Sequence, residues 1–322
     1  MRLEDFSIKR YSNEDFEEWN NLVFLSKNSC LLHLRSFINY HANSFEDHSC
    51  LIFKRGKLLF LFPATQHGDQ IRSHGGLTFG GIIMPFSTKS RDVITGLELI
   101  CSYYKKLNFK SIIYKPTPYI YHKVPSEEDI FAINEMGAEL FRYDISHVIE
   151  RNNSRVFSNL RKRKIKNALK KGVSYMKYNE EKLSKSLLSK FYFILSQTLQ
   201  NKNLKPVHTE NEIRYLMENH PKYISLYLAK KEENVLAGSL IFTFGSTSHT
   251  QYLTSSKEGK EVGALDLIIS KIIEKEPSNI KFISLGRSPQ DKNTTALNEG
   301  LVFQKEGFGA SAVMFNQYKI NL

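Results

Sequence analysis

The sequence predicts a mixed α/β (α+β) fold made of two tandem halves, residues 1–150 and 151–322, each with a mixed central sheet flanked by helices. Three observations carry this reading. Segments of strand period and helix period alternate along the chain. One series, strand–strand–turn–helix–strand, occurs in both halves. A strongly basic amphipathic segment separates them. At 322 residues the chain also exceeds a typical domain of roughly 100–200 residues.

In the first half, hydrophobic spacing predicts helices over 13–26 and 34–44, then strands over 49–54 and 57–66 with a turn at Arg55-Gly56. The glycine-rich stretch Ser73–Gly81 follows, then a helix over 88–107 and a strand from Lys110 to Lys115 closed by Pro116. In the second half, Ile224–Lys230 and Val235–Phe244 read as strands around Glu233-Asn234, and a third strand contains Ser248–Tyr252. A turn with Gly259 and Gly263, a helix over Ala264–Glu274 and a strand over Lys281–Leu285 complete the series. His74 and His249 stand at corresponding places, 175 residues apart.

Between the halves, Phe157, Leu160, Ile165, Ala168 and Leu169 share one helical face amid seven lysines and arginines. Asn153 or Ser154 can cap the start of this helix and Gly172 marks its stop. The cations are either a solvated face or an anion-binding wall. A nucleic-acid recognition helix fits less well, because no helix-turn-helix or RNA-binding aromatic motif accompanies them.

With 41% hydrophobic and 24% charged residues, 22 Phe and 16 Tyr, the chain has ample material for packed cores, which excludes disorder. A net charge of +12 points to an anionic ligand or surface: a nucleotide cofactor, tRNA, a sugar nucleotide or acidic lipid. Cys30, Cys50 and Cys101 are odd in number and unpaired in spacing, so neither a disulfide framework nor a metal site is expected. The N-terminus shows no apolar leader, and the run Leu58–Phe62 falls far short of the ~20 residues of a spanning helix. A cytoplasmic protein is expected, with peripheral membrane contact still open.

Several separated motifs, in order, resemble the FemAB-like branch of the GNAT superfamily. Leu160–Val173 is similar to the basic helix that opens the C-terminal half of those proteins, and Gly286-Arg287-Ser288 with Asn298–Ala310 resembles their terminal signature. Ser73–Gly81, Tyr114–Asp129, Pro206-Val207-His208, His249–Tyr252 and Gly263–Asp266 are similar to a bacterial GNAT-family group found with polysaccharide loci. Two departures stand out: Gln304 replaces the aromatic residue before the terminal lysine, and no long coiled-coil arm interrupts the second half. The missing arm argues against a tRNA-borne donor.

The resemblance implies a tandem GNAT-like fold and direct acyl transfer from acyl-CoA, such as acetyl-CoA, without a covalent enzyme intermediate. The implied acceptor is an amino sugar or related envelope or polysaccharide precursor carried on a small molecule, a nucleotide or a lipid. Aminoacyl transfer from tRNA to a peptidoglycan precursor is the enzymatic alternative, and a binding or assembly factor that has lost catalysis is the non-enzymatic one. DNA is not an expected partner.

The expected donor cradle is Gln251, Ser255, Lys257, Lys260 and Gly263, where a strand runs into a helix whose N–H groups can hold phosphate. Leu265 replaces a later glycine of the GNAT pyrophosphate loop, and an ordinary glycine turn is the alternative. His249 and Tyr252 precede the cradle, and a histidine near its ordinary pKa of about 6.5 can take the proton of an incoming amine. Lys305 matches the terminal FemAB lysine, implying contact with the acceptor or the tetrahedral intermediate, with an exposed strand lysine as the ordinary alternative. His74, Lys115, Tyr121 and His122 are the acceptor-side candidates in the first half, unless the glycines around His74 only permit tight backbone geometry and the other three only brace a proline-stiffened loop. Arg287 can grip a phosphate or carboxylate or serve a surface ion pair, and Glu299 and Asp266 offer carboxylates, Asp266 also as a helix-start charge.

Overall fold

The computed structural model describes residues 3–41, 44–151, 156–178, 184–201, 203–288 and 296–322. The chain folds as two compact units, one of Met1–Ile145 with Met314–Leu322, the other of Ser146–Val313.

Unit 1 contains β1 (Phe6–Arg10), α1 (Phe16–Phe24), α2 (Arg35–Ile38), β2 (Cys50–Lys54), β3 (Lys57–Phe62), β4 (Thr65–His67), β5 (Gln70–Arg72), α3 (Ser90–Lys106), β6 (Ser111–Tyr114) and α4 (Glu128–Glu135). Strand β7 (Glu139–Glu150) carries the chain onward. Unit 2 continues with α5 (Asn159–Lys170), β8 (Ser174–Tyr178), α6 (Lys185–Gln200), α7 (Glu210–Asn219), β9 (Ile224–Lys231), β10 (Asn234–Phe244) and β11 (Thr247–Ser255). Helices α8 (Lys257–Val262) and α9 (Ala264–Lys275), strand β12 (Phe282–Arg287) and helix α10 (Glu299–Glu306) follow, and β13 (Ser311–Asn321) brings the chain back.

In unit 1, β1, β2 and β3 form an antiparallel sheet. Arg55 and Gly56 both adopt positive φ, 50° and 75°, as the two-residue hairpin between β2 and β3 requires. A second sheet pairs β4 with β5 antiparallel, β5 with β6 parallel, and β6 with the end of β13 antiparallel. The crossover between the parallel strands is α3, whose Val93, Leu97, Ile100 and Tyr104 recur at helical spacing and are fully buried against Phe60, Phe62 and Ile112. In unit 2 the order is β7-β12-β11-β10-β9-β8, with β11 and β12 the parallel pair and α9 their crossover. Leu267, Ile268 and Ile272 of α9 pack on Tyr227, Ile241 and Ile283, each contributing roughly 1.5–3 kcal/mol by leaving water. The same parallel crossover thus occurs once in each unit, giving the mixed α/β fold that the alternating periods predict.

Some expected boundaries move. Of the helix expected over 34–44, the described residues form only α2 and a 3-10 turn, Asn39–His41, because Asn and His propagate a helix poorly, and 42–43 lie outside the described residues. The strand expected over 57–66 breaks at Pro63, which has no N–H to give a ladder, into β3 and β4. The glycine turn at 259–263 holds a short helix, α8. The basic helix α5 is capped by Ser158, whose side chain accepts the Arg161 N–H, while Asn153 and Ser154 lie outside the described residues. Lys305 sits in α10, not on a strand, and is buried. Among the described residues no helix is long and apolar enough to cross a membrane.

Candidate active site

The site begins with a register that stops. β11 and β12 pair through Thr247↔Phe282, Ser248↔Ile283 and His249↔Ser284, and no further pair forms among the described residues although both strands continue. Continuing that register would set Gly286 beside Gln251. Instead Gly286 takes a positive φ of 75°, and the Lys305 ammonium donates to the Gly286 carbonyl (2.7 Å), the Arg287 carbonyl (3.0 Å) and Ser288 Oγ (2.9 Å). Ser288 Oγ also meets His147 Nδ1 at 3.1 Å. An ammonium has three protons to give, and these three acceptors match them.

On its other flank β11 stays on β10 through Tyr252↔Leu240, Thr254↔Gly238 and Ser255↔Ala237, and the Ser256 N–H reaches the Leu236 carbonyl. Strand alternation then turns the backbone groups of Gln251, Leu253 and Ser255 toward the flank that β12 has left. A cavity of about 390 Å³ occupies this side, lined by Leu253, Ser255, Arg161, Asp266, Lys260 and Lys305 among others. A neighbouring cavity of about 460 Å³ between α6 and the start of α8 shares Thr198, Ser255 and Lys260 with it.

The electrostatics combine buried and exposed cations. Arg161 of α5 and Asp266 in the first turn of α9 form a buried ion pair at 2.6 Å. Burial raises the Asp266 pKa against the opposing pull of Arg161 and Lys164. Arg161 Nε finds no partner among the described residues. Lys164 is half-buried and Lys260 exposed, so the cavity has two further positive groups on its wall. Gly263 serves geometry: its φ is +86°, and a Cβ there would lie 2.6 Å from the Lys164 carbonyl, so only glycine lets α5 approach the start of α9.

The expected residues of the second half lie on the elements around this parting of strands, β11, α8, α9, β12 and α10. His249 Nδ1 lies 3.0 Å from Ser284 Oγ, and burial, with Lys305 and Arg287, pushes its pKa down to about 3. Such a ring is neutral near pH 7 and holds an abstracted proton poorly, which corrects the expectation of a base near 6.5. The Tyr252 hydroxyl is buried, accepts the His208 backbone N–H (3.2 Å) and meets His208 Nδ1 at 2.7 Å. Burial pushes Tyr252 up to about 12 and His208 down to about 4, so both are neutral and the phenol donates to the imidazole. Gln251 is half-buried on the same strand, and Ser255 is buried with Oγ on the Leu236 carbonyl at 3.3 Å. Lys257 begins α8 and is exposed. Arg287 ends β12, and Glu299 opens α10 as an exposed helix-start charge beside the Asn298 cap.

The first-half candidates gather separately in unit 1. Lys115 follows β6 and is buried, donating to the His74 (2.5 Å) and Leu77 (2.6 Å) carbonyls. His74 has a φ of 60° and is also buried, its Nδ1 accepting the Gly76 N–H. Tyr121 stacks on Phe79 with ring centroids 4.7 Å apart, and His122 Nε2 donates to the Thr117 carbonyl at 2.8 Å. Lys115 and Tyr121 thus contact the glycine-rich loop that holds His74, and His122 contacts the proline-stiffened loop.

Arg161, Lys164 and Thr198 are missed as cavity residues by sequence reasoning. The basic helix pattern could have singled out Arg161, which stands among exposed cations yet is buried itself; Thr198 lies on α6, a segment for which no element is predicted from sequence. Among the described residues no cluster of His, Cys, Asp and Glu could hold a metal ion.

No known family profile matches the chain, and no curated protein sequence does. Solved structures do match over nearly the whole length. FemX aligns with 98% of this chain and 97% of its own at 12% identity, with a TM-score of 0.69. The fold is a tandem GNAT-like one. L-PGS from Bacillus licheniformis matches 97% of this chain and 92% of its own at 12% identity and a TM-score of 0.63. A tandem GNAT protein from the clavulanic acid biosynthesis pathway, solved without AcCoA, matches 98% of both chains at 8% identity and a TM-score of 0.55. At such identities the likeness establishes architecture.

Proposed function

We propose that the protein is an acyltransferase that moves an acyl group from acyl-CoA, acetyl-CoA being the simplest, to an amine on an envelope or polysaccharide precursor such as an amino sugar. The observation that carries this reading is the parting of β11 from β12 beyond His249 and Ser284. A slender donor arm laid along β11 can hydrogen-bond to Gln251, Leu253 and Ser255 as a neighbouring strand would, while Lys164, Lys260 and Lys257 face its phosphates. Bringing the carbonyl and the amine together in one enclosed gap supplies much of the rate. The amine attacks the thioester carbonyl, the C–N bond forms, the C–S bond breaks, and the amine's proton leaves with the thiol or to water. His249 and Tyr252, both neutral, orient groups beside the gap and do not store that proton. In this reading unit 2 carries donor and chemistry, unit 1 receives the acceptor, and the protein works in the cytoplasm.

Lys305 then acts as a strap. By occupying the Gly286 and Arg287 carbonyls it removes the acceptors that would draw β12 back onto β11. This differs from the contact with acceptor or intermediate that the family resemblance implies.

One observation favours a second donor: Lys162, Arg163, Lys166, Lys170 and Lys171 of and after α5 are all exposed, a surface suited to tRNA phosphates. Calorimetry with acetyl-CoA and with CoA, repeated in the presence of deacylated tRNA, separates the two. Micromolar CoA binding untouched by tRNA supports acyl-CoA as donor; tight tRNA binding with no response to CoA overturns it.

A further inference from the structure

Unit 1 exposes large apolar side chains in one place. Phe24 (57% exposed) ends α1, and Leu25 (65%) follows it. The bridge Ser26↔Pro85 brings that corner to Phe86, which is 56% exposed. Lys123 ties the group together: its ammonium donates to the Phe24 (3.1 Å) and Ser26 (2.6 Å) carbonyls and lies 5.9 Å from the Phe86 ring centre. Lys123 also lines an open cavity of about 830 Å³ with Tyr119, Val124 and Phe131, which are 54%, 42% and 56% exposed. Ser90 lines it too, and its chain neighbours Lys89 and Arg91 are both exposed. Six large apolar residues, four of them aromatic, thus stand beside three exposed cations.

Isolated exposed apolar residues need no explanation, but contiguous ones mark a surface that something covers. Of the acids lining the cavity, Glu127 is exposed and Glu128 is held by the buried Lys27. The cations therefore outnumber free carboxylates, and a partner with an apolar interior and anionic surface fits both halves of the pattern. We propose that this face docks on the surface of an anionic lipid bilayer, with Phe24, Leu25 and Phe86 entering the interface and Lys89, Arg91 and Lys123 meeting lipid phosphates. The proposal stands apart from the donor site of the acyl-transfer reading, whose groups lie in unit 2.

Flotation with vesicles of equal parts phosphatidylglycerol and phosphatidylcholine, compared with phosphatidylcholine alone, tests it on the full chain. Stronger partitioning into the anionic vesicles is expected, falling about fivefold for each of Lys89→Glu and Arg91→Glu and about tenfold or more for each of Phe24→Glu and Phe86→Glu. Because these side chains are exposed, melting temperature and CoA binding stay at their original values. Vesicle binding that all four substitutions leave unchanged would overturn the proposal. So would absence of vesicle binding together with a dimer in light scattering that Phe86→Glu dissociates, which would assign the face to a second copy of the chain.

Discussion

The two parallel crossovers of this molecule end in opposite ways. In unit 1 the chain leaving β5 is sewn to the chain leaving β6: Lys115 donates to the His74 and Leu77 carbonyls, the Gly80 N–H reaches the Lys115 carbonyl, and Thr117 Oγ1 donates to the Gly80 carbonyl at 3.1 Å. The mouth of that crossover is filled with protein. In unit 2 a buried lysine again takes carbonyls at the end of the second parallel strand, yet Lys305 comes from outside the pair, on α10, and its acceptors lie where β12 no longer pairs with β11. One lysine ties the two exits together; in the proposed reading the other holds them apart. The same topology would then yield a braced unit and a receptive one, the difference lying in which element supplies the ammonium.

Removing the charge beneath the open mouth should have the largest effect. Arg161→Met leaves Asp266 buried without its partner and is expected to cost about 3–5 kcal/mol in urea unfolding. Arg161→Met combined with Asp266→Leu should recover much of that stability without recovering CoA affinity, which would separate the structural part of the pair from its part in the site. If the double variant binds CoA like the original, Arg161 has no role toward the donor.

Acid should weaken both units. His33 in unit 1 and His208 in unit 2 are buried and neutral, with pKa values pushed down by burial to about 3 and about 4. Below about 6.5 the unfolded chain takes up protons that these folded rings refuse, so their contribution is complete above that pH and declines as pH falls toward 4 and then 3. Each contributes a loss of up to about 1.4 kcal/mol per pH unit in that window. Asp129, raised by burial to about 6, opposes them between its unfolded pKa and that value. Chemical denaturation at a series of pH values should show stability decreasing from pH 6.5 to 4, and His33→Gln should make the decline shallower.

The two lysines provide the sharpest comparison. Lys115→Met and Lys305→Met each leave buried carbonyls unpaired, and each should lower stability by about 1–3 kcal/mol. Only Lys305→Met should weaken CoA binding, by about tenfold, and slow amide exchange at Leu253 and Ser255 as β12 closes on β11. Faster exchange at those amides would show that Lys305 does not act as a strap. The smallest effect belongs to Lys260→Glu: an exposed residue, little change in melting, and a loss of CoA affinity of about tenfold at low salt that shrinks as salt is added.

Local signals were readable in advance and distant ones were not. The hairpin at Arg55-Gly56 and the helices α3 and α9 follow from turn chemistry and period, which are properties of neighbouring residues. β6 depends on β13 for its antiparallel neighbour, with Ser111 beside Asn321, and no short-range pattern encodes that pairing. The candidate strand with His249, Gln251 and Tyr252 was legible, and so was the charge of the helix that brings Arg161 and Lys164. What those groups do was not. The basicity of His249 depends on burial and on two cations from β12 and α10. The role of Lys305 depends on where β12 stops pairing. The partnership of Arg161 and Asp266 joins residues 105 positions apart.

The short ladder between β11 and β12 has a further consequence. It places a sheet edge inside a sheet. Edges at the margins of proteins are hazards because any extended chain can add to them; this one is walled by Arg161 and Lys164 of α5, Asp266 of α9, and Leu301 and Lys305 of α10. Only a thread thin enough to pass those helices and carrying amides at strand-like intervals can complete it. Selectivity would then reside in the gauge and amide spacing of the thread more than in the group at its tip. Donors with different acyl groups should compete on nearly equal terms, whereas N-methylation of the arm's amides should exclude them all.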